Sequence, residues 1–207
     1  MQAIDATSRP RASRKGVRLA RAKAQAYLTT VTDPGVEQMR QGDLKRLRVL
    51  LVDDSHHIRV IVGTILRSVG IEAIAEASSG EQAIAMAKGT PFDVAFIDYL
   101  MEHGDGLELI RKLRDPKASP NPYMPIIMIT GFSDRTRVLA ARDAGVTEFI
   151  AKPVTAKAVL DRLSAALYKR RPFVESQSYF GPDRRRSSAE GDAGPRRRAG
   201  DKKPDPE

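Results

Sequence analysis

The sequence predicts one doubly wound α/β domain, with five parallel strands and five flanking helices between residues 47 and 169. Three observations support this prediction. Short apolar runs, typical of strands buried on both faces, alternate with segments whose apolar residues recur at helical spacing. Capping residues and glycines bound most of the helical segments. Strands that alternate with helices pair in parallel through right-handed crossovers, so the helices cover both faces of the sheet.

The elements follow the pattern in chain order. Ser55 is a candidate N-cap for the first helix and Gly70 is its stop, and Ser79 with Gln82 resembles a capping box. The predicted strands cover about residues 49–52, 72–76, 92–98, 126–129 and 148–150. The apolar positions of the predicted helices span about residues 58–69, 83–87, 107–113, 134–144 and 159–169. The third strand is apolar until it ends in Asp98. A carboxylate at the end of a buried strand indicates a functional role.

The segments on either side of this domain have the composition of mostly disordered arms. Residues 1–46 are basic. Residues 1–35 lack a sustained apolar face, although residues 17–28 have the pattern of a short basic helix, and residues 36–47 suggest either a helix that leads into the core or a linker. Residues 170–207 hold too little apolar surface to offset the entropy lost on ordering. Within them, residues 178–185 suggest either a short docking motif or a patch that folds back onto the domain.

The formal net charge of +9 lies wholly in these arms, because basic and acidic side chains balance between residues 48 and 169. Basic arms favour acidic partners. The chain has no cysteine, which excludes disulfides and thiolate zinc sites. It also has no apolar run of the roughly 20 residues that a membrane-spanning helix needs, so the cytoplasm is the expected location.

Polar side chains stand at the carboxyl ends of four predicted strands. Asp53 and Asp54 follow the first strand, Asp98 ends the third, Thr130 follows the fourth and Lys152 the fifth. Parallel strands point their carboxyl ends to one edge of the sheet, where open α/β sheets bind ligands, so we expect these five side chains to converge. Each alone would be an ordinary polar group at a strand end, but together they predict a functional site.

Three carboxylates close together repel one another unless a cation lies between them. A set of oxygen ligands without histidine or cysteine favours a hard ion, and Mg²⁺ is the expected cofactor. With the Lys152 ammonium and the Thr130 hydroxyl, such an ion can neutralise the charge of a phosphoryl group in transfer. Asp98 is then the expected nucleophile, since an ionised carboxylate needs no base.

In order and spacing, these residues resemble the receiver domain of two-component response regulators, the CheY-like superfamily. The resemblance covers about residues 47–169 and rests on Asp53-Asp54, Asp98 with Met101, Asp105-Gly106-Leu107, Ile129-Thr130-Gly131 and Lys152-Pro153. It implies a flavodoxin-like sheet with strand order 2-1-3-4-5. It also implies a stand-alone regulator whose Asp98 is phosphorylated by a sensor histidine kinase or a histidine phosphotransfer protein.

The resemblance further implies which groups bind the metal and the phosphoryl group. The side chains of Asp54 and Asp98 and the backbone carbonyl of Leu100 would hold Mg²⁺, with Asp53 acting largely through water. Lys152 would pair with the phosphoryl group.

Two further residues would respond to phosphorylation. Thr130 would swing toward the phosphoryl group, and Phe149 would move inward as the switch aromatic. An output protein, which the sequence does not identify, would recognise the altered surface. Pro153 is expected to follow a cis peptide bond, as is usual in the family.

The sequence departs from the family pattern at Glu102, which stands where proline is usual. An extra acid there would alter metal affinity or kinase docking. His56 and His57 begin the first helix beside the acid pair, and we expect them to face solvent rather than bind the metal.

Leu100 and Phe132 lie two residues beyond Asp98 and Thr130, at positions that flank the path of the hydrolytic water in the family. Neither apolar side chain can orient a water molecule by hydrogen bonding. The sequence therefore predicts slow self-dephosphorylation.

Two classes of function remain open from the sequence. One is a phospho-switch or phosphorelay intermediate. The other is a binding adapter whose Arg-rich arms, with Arg184, Arg185 and Arg186, engage nucleic acid or a phosphorylated nucleotide while Tyr179 and Phe180 stack on bases. A merely solvated tail is the other interpretation of the arginines. An enzyme acting on a diffusible substrate is disfavoured, because the clustered acids leave no evident general base.

Overall fold

A computed structural model describes residues 14–30, 44–102, 104–131, 135–176 and 179–184 of the 207-residue chain. The centre of the described chain is a five-stranded parallel sheet with helices on both faces. No helix within these residues combines the length and the apolar character needed to cross a lipid bilayer.

The central sheet has the predicted topology. Its strands are β1 (Arg48–Val52), β2 (Ala73–Ala77), β3 (Val94–Asp98), β6 (Ile126–Thr130) and β7 (Glu148–Ala151). They are all parallel and run in the order β2-β1-β3-β6-β7, which confirms the order 2-1-3-4-5, since β6 and β7 are the fourth and fifth strands of the sheet. Two antiparallel pairs lie outside this sheet: β4 (Leu100–Met101) with β5 (Gly104–Asp105), and β8 (Phe173–Ser176) with β9 (Tyr179–Pro182).

Helices cover both faces of the sheet. They are α1 (Arg14–Thr30), α2 (His56–Ser68), α3 (Gly80–Gly89), α4 (Gly106–Arg114), α5 (Arg135–Asp143) and α6 (Ala156–Tyr168). Helices α2 and α6 pack on one face, and α3, α4 and α5 pack on the other. The five predicted helices are therefore α2 to α6, and their distribution makes the domain doubly wound.

Alternation along the strands builds two separate core layers. In β1, Leu51 belongs to the layer under α2 and α6, whereas its neighbour Leu50 belongs to the layer under α3, α4 and α5. In β3, Phe96 and Ile97 divide in the same way. All four side chains are fully buried. Because successive side chains enter opposite layers that are both apolar, these strands appear in the sequence as unbroken apolar runs.

The predicted caps form at some helix ends and not at others. The Ser79 side chain accepts a hydrogen bond of 3.2 Å from the backbone N–H of Gln82, as the capping box predicts. The Gln82 side chain bonds back to the N–H of Ser78 at 2.8 Å. Ser55 occupies the N-cap position of α2, but its side chain makes no capping hydrogen bond.

The 17-residue helix α1 confirms the short basic helix predicted over residues 17–28, and it packs on α2 and α6, a contact that the expectation of a mostly disordered arm did not include. Ala20, Ala24 and Tyr27 line one side of α1, and Ala24 is fully buried. The Tyr27 hydroxyl donates a hydrogen bond to Asp161 on α6. The composition of the arm did not predict this contact, because small alanine side chains can bury one face of a helix while adding little apolar surface. The rest of the N-terminal arm before residue 44 lies outside the described residues.

The structure also corrects the expectation of disorder at the start of the C-terminal tail. Strands β8 and β9 form a hairpin that packs back on the domain, one of the two alternatives that the sequence left open for residues 178–185. Phe173 and Phe180 of the hairpin meet Tyr123, with ring centroids 5.0 and 5.1 Å from the Tyr123 ring. Arg171 donates hydrogen bonds to the carbonyls of Asp183 and Thr147. An existing domain surface thus supplies the apolar contacts that the tail lacks by itself.

Candidate functional site

The register of the sheet brings the predicted carboxylates together. Val52 of β1 lies beside Ile97 of β3, so Asp53 and Asp98, the next residue in each chain segment, are neighbours at the carboxyl edge. Oxygens of Asp53, Asp54 and Asp98 lie within 4.8 Å of one another. Asp53 is fully buried and Asp98 is 3 % exposed, while Asp54 is half-buried. The structure therefore forms a compact acidic cluster where the sequence predicted one.

Lys152 supplies the positive charge of this cluster. Residue Thr130 of β6 pairs with Ala151 of β7, and the N–H of Lys152 donates to the carbonyl of Thr130 at 2.8 Å. This places the lysine one residue past the end of β7, with its Nζ 2.9 Å from Asp98 Oδ1 and 3.9 Å from Asp53 Oδ2. The Lys152-Pro153 bond is cis, as expected.

Burial dominates the electrostatics of the two interior carboxyl groups. Burial, and after it the neighbouring charge of Asp98, raises the pKa of Asp53 to about 6. Burial also raises the pKa of Asp98, whereas the hydrogen bond from Lys152 opposes that shift. The single ammonium thus compensates the negative charge of the three carboxylates only in part. A further cation at this place would neutralise negative charge that Lys152 leaves unbalanced.

Backbone N–H groups orient the acid pair. The N–H of Ser55 donates to Asp53 Oδ1 at 2.8 Å, and the N–H of Glu102 donates to Asp54 Oδ2 at 2.7 Å. Glu102, the departure from the family pattern, therefore touches the site through its backbone.

The chemistry of the donor set fits a hard divalent cation. Asp53 Oδ2 is buried and has no hydrogen-bond partner among the described residues. Three carboxylates offer only oxygen ligands, which is the donor set that Mg²⁺ takes. His56 and His57 are exposed at the start of α2, as predicted, and neither belongs to this group of described residues.

The other predicted site residues lie around the same edge. Thr130 is buried at the end of β6, and Phe149 of β7 is half-buried against the core layer under α3, α4 and α5. Leu100 begins β4 with its side chain 52 % exposed. Phe132 lies outside the described residues.

Arg184 lies away from this edge, on the C-terminal hairpin. Its guanidinium lies 3.9 Å from the centroid of the Tyr179 ring and 3.4 Å from Asp143 Oδ1. Arg185 and Arg186 fall outside the described chain.

Arg59 belongs to the site, although the sequence analysis overlooked it. Its Nη1 donates to the carbonyls of Asp53 at 2.6 Å and of Asp54 at 3.2 Å, so one guanidinium holds the turn that carries both acids. Glu76 on β2 balances its charge, with 3.6 Å between Arg59 Nε and Glu76 Oε2. A basic residue inside the otherwise apolar pattern of the first helix was the signal that could have revealed it.

Gly106 permits a close approach of the backbone behind the acidic cluster. A Cβ atom at this position would lie 2.1 Å from the carbonyl oxygen of Asp98 and 3.1 Å from that of Tyr99. The N–H of Gly106 donates to the Tyr99 carbonyl at 3.1 Å, which fixes the start of α4 against the end of β3. Only glycine fits this contact without moving Asp98.

We expect Gly106→Ala to lower the free energy of unfolding by about 2 kcal/mol, because the added methyl group forces two backbone segments apart. Chemical denaturation monitored by circular dichroism measures this change. Gly89→Ala is the matched control, since a Cβ at Gly89 meets nothing within 4 Å. Equal stability of the two variants would contradict the close contact.

Comparison with known proteins places this chain in a family. Residues 49–164 match the model of the response regulator receiver domain. Chemotaxis protein CheY-3 of Vibrio cholerae serotype O1 is 33% identical over 119 residues, which cover 58% of this chain and 90% of that protein. Chemotaxis protein CheY of Pseudomonas aeruginosa is 30% identical over 117 residues, which cover 56% of this chain and 93% of that protein.

Solved structures show the same fold. Vibrio cholerae chemotaxis protein CheY4 superposes with a TM-score of 0.55 at 30% identity, covering 58% of this chain and 98% of that one. A receiver domain protein from Methanospirillum hungatei JF-1 gives 0.54 at 27% identity, covering 59% and 94% of the two chains. The family match begins after α1 and ends before β8. With more than half of its length matched, the chain belongs to the response regulator receiver domain family of two-component signalling.

Proposed function

We propose that this response regulator accepts a phosphoryl group on Asp98 from a sensor histidine kinase or a histidine phosphotransfer protein. The observation that carries the proposal is the 2.9 Å contact between Lys152 Nζ and the carboxylate of Asp98, within a cluster of three acids. Asp98 is positioned by β3 and has an ammonium beside the place where new negative charge would appear.

The residues suggest how the transfer proceeds. A carboxylate oxygen of Asp98 attacks the phosphorus of a phosphohistidine, the P–N bond breaks, and the imidazole leaves as an acyl phosphate forms on Asp98. Lys152 stays within reach of the phosphoryl oxygens, and the hydroxyl of Thr130 offers them a hydrogen bond. The side chains of Asp54 and Asp98 and the carbonyl of Leu100 would hold Mg²⁺, with Asp53 acting largely through water, and the ion would supply further positive charge for those oxygens.

The output of this switch is a change in the surface beyond the site. Thr130 and Phe149 lie on the neighbouring strands β6 and β7, so movement of the threonine toward a phosphoryl group reaches the aromatic ring through adjacent backbone. We propose that Phe149 moves inward and that an output protein binds the altered face of α5, β7 and α6. The regulator then acts through protein contacts.

A phosphodonor experiment tests this function. The purified chain is incubated with Mg²⁺ and either a labelled histidine kinase or a small acyl phosphate, and the acid-stable, base-labile product is mapped by mass spectrometry. We expect the phosphoryl group on the peptide that contains Asp98, and no product when EDTA replaces Mg²⁺. Modification at another residue, or none with either donor, would refute the proposal.

Slow loss of the phosphoryl group is the expected kinetic property of this site. Leu100 and Phe132 offer no hydrogen bond to an attacking water, so Leu100→Asn combined with Phe132→Glu should accelerate hydrolysis about tenfold. The decay of labelled protein after removal of the donor measures the rate. Leu19→Asn, on the exposed side of α1, is the control for the change in polarity. An unchanged rate in the double variant would show that other groups control hydrolysis.

A further inference from the structure

A second cleft lies at the opposite edge of the domain from the acidic cluster. It has a volume of about 490 Å³, which is within the range of about 300–1,000 Å³ typical of small-molecule sites. The end of α4, the end of α5 and the C-terminal hairpin form its walls. Because α4 and α5 run back from the carboxyl edge of the sheet, their ends lie near the amino ends of β6 and β7. The cleft is therefore separate from the proposed phosphorylation site.

Arg114, which lines this cleft, is a buried cation without a carboxylate partner among the described residues. Its side chain is 3 % exposed and donates to three neutral groups, the carbonyls of Gly145, Pro122 and Met124, at 2.6–3.0 Å. Its Nη2 has no partner within the described chain. Burial lowers the pKa of Arg114 to about 9, so it remains a cation at neutral pH. A buried charge of this kind attracts an anion.

Two more cations stand at the rim of the cleft. Arg111 and Lys117 are exposed, and neither forms an ion pair within the described part of the chain. They lie on either side of Arg114 in sequence, at the end of α4 and in the following loop. Arg111 and Lys117 thus stand at the opening, and Arg114 lies buried in the wall behind them.

The acids that line the cleft compensate these cations incompletely. Asp143 is already shared by two arginines, Arg142 at 3.1 Å and Arg184 at 3.4 Å. Asp115 Oδ1 accepts a hydrogen bond from the backbone N–H of Lys117. Glu175 is exposed on β8. Within the described chain none of these three acids forms an ion pair with Arg114, whose guanidinium lies 5.3 Å from the centroid of the Phe173 ring.

Aromatic rings form the hairpin wall of the cleft. Tyr179 and Phe180 both line it, and the guanidinium of Arg184 stacks on Tyr179 at 3.9 Å. A planar ring system binds well against such a surface, because aromatic and guanidinium planes both stack on nucleobases. The cleft thus combines anion-binding groups with a stacking wall.

We propose that this cleft binds a phosphorylated nucleoside, with the phosphate near Arg111, Arg114 and Lys117 and the base against Tyr179 and Phe180. Since the hairpin supplies the stacking wall, the site exists only because the C-terminal segment folds back onto the domain. Ligand binding would hold the hairpin against α4 and α5. The position of the C-terminal hairpin would then depend on the cellular concentration of the phosphorylated nucleoside. This gives the Arg-rich segment a role that does not depend on phosphorylation of Asp98.

Isothermal titration calorimetry of the full chain with 5′-GMP, 5′-AMP and inorganic pyrophosphate tests the proposal. We expect at least one nucleotide to bind more tightly than pyrophosphate, with an affinity that falls as the salt concentration rises. Arg111→Ala combined with Lys117→Ala should weaken binding at least tenfold, and Arg114→Met should abolish it. The exposed double variant keeps the test decisive if Arg114→Met fails to fold.

Lys45→Ala combined with Lys88→Ala is the matched control, because it removes two exposed cations away from the cleft. It should bind like the wild type, as should Asp98→Asn, whose acidic cluster lies at the other edge. Three results would overturn the proposal: no binding of either nucleotide, equal binding of nucleotides and pyrophosphate, or equal affinity of the rim variant and its control.

Discussion

Asp98→Asn should accept no phosphoryl group from a histidine kinase or from a small acyl phosphate, so that labelling falls to background. The reason is chemical, because an amide lacks the ionised oxygen that attacks phosphorus. The fold should survive, since asparagine keeps the size of the side chain and removes a buried charge whose pKa burial has raised. Autoradiography of the labelled protein, or the intact mass after incubation with the donor, measures the effect.

Asp93→Asn is the matched control for this experiment. It is the same substitution just before the opposite end of β3, where Asp93 Oδ2 accepts a hydrogen bond of 2.7 Å from the N–H of Arg48. This variant should be labelled like the wild type. Labelling that persists in Asp98→Asn would mean that another residue is the acceptor, and loss in both variants would point to a folding defect.

Asp53→Asn should raise the stability of the metal-free protein at pH 7 by about 3 kcal/mol, from a shift of about two pKa units at about 1.4 kcal/mol each. Burial raises the pKa of Asp53 from 3.8 to about 6 in the folded state. At pH 7 the Asp53 carboxyl group is therefore ionised in both states. Its ionisation costs more free energy in the folded state, where its pKa is raised, than in the unfolded chain. Asparagine removes this penalty.

The sign of the pH dependence follows from the same shift. Below pH 4 the carboxyl group is protonated in both states, and as the pH rises toward 6 only the unfolded state gains by ionising. The wild type should thus lose stability between about pH 4 and pH 6 in EDTA, and Asp53→Asn should lose less. Urea denaturation across this range measures the difference, with Glu72→Gln as an exposed control. A wild-type stability that rises over this interval, with no effect of Asp53→Asn, would contradict the pKa shift.

Added Mg²⁺ should narrow the difference in stability between the wild type and Asp53→Asn. A cation that binds the folded state stabilises it in proportion to the logarithm of its concentration, and the ligand set loses one carboxylate in Asp53→Asn. Added Mg²⁺ at pH 7 should therefore stabilise the wild type more than the variant.

The sequence predicted the central fold because buried parallel strands are apolar at every position. Leu50 and Leu51 enter different core layers, yet both must be apolar, so the strand is visible without knowledge of either layer. The prediction for the arms was incomplete because α1 and the hairpin bury themselves against surfaces that only the folded domain provides. The burial of Ala24 cannot be predicted from the sequence of α1, because it results from packing against α2 and α6.

The sequence by itself determined which residues meet at the carboxyl edge, because parallel pairing sends Asp53, Asp98 and Thr130 to one side regardless of the details of packing. Only the tertiary structure decided how their charges are balanced. The Lys152 contact, the support from Arg59 and the burial that raises the pKa of Asp53 all depend on distances of a few ångströms. Electrostatic energies change steeply over such distances and with the local dielectric. The order of the strands determines neither of these quantities. The second cleft is likewise a product of tertiary structure, since its walls come from three segments that are distant in sequence.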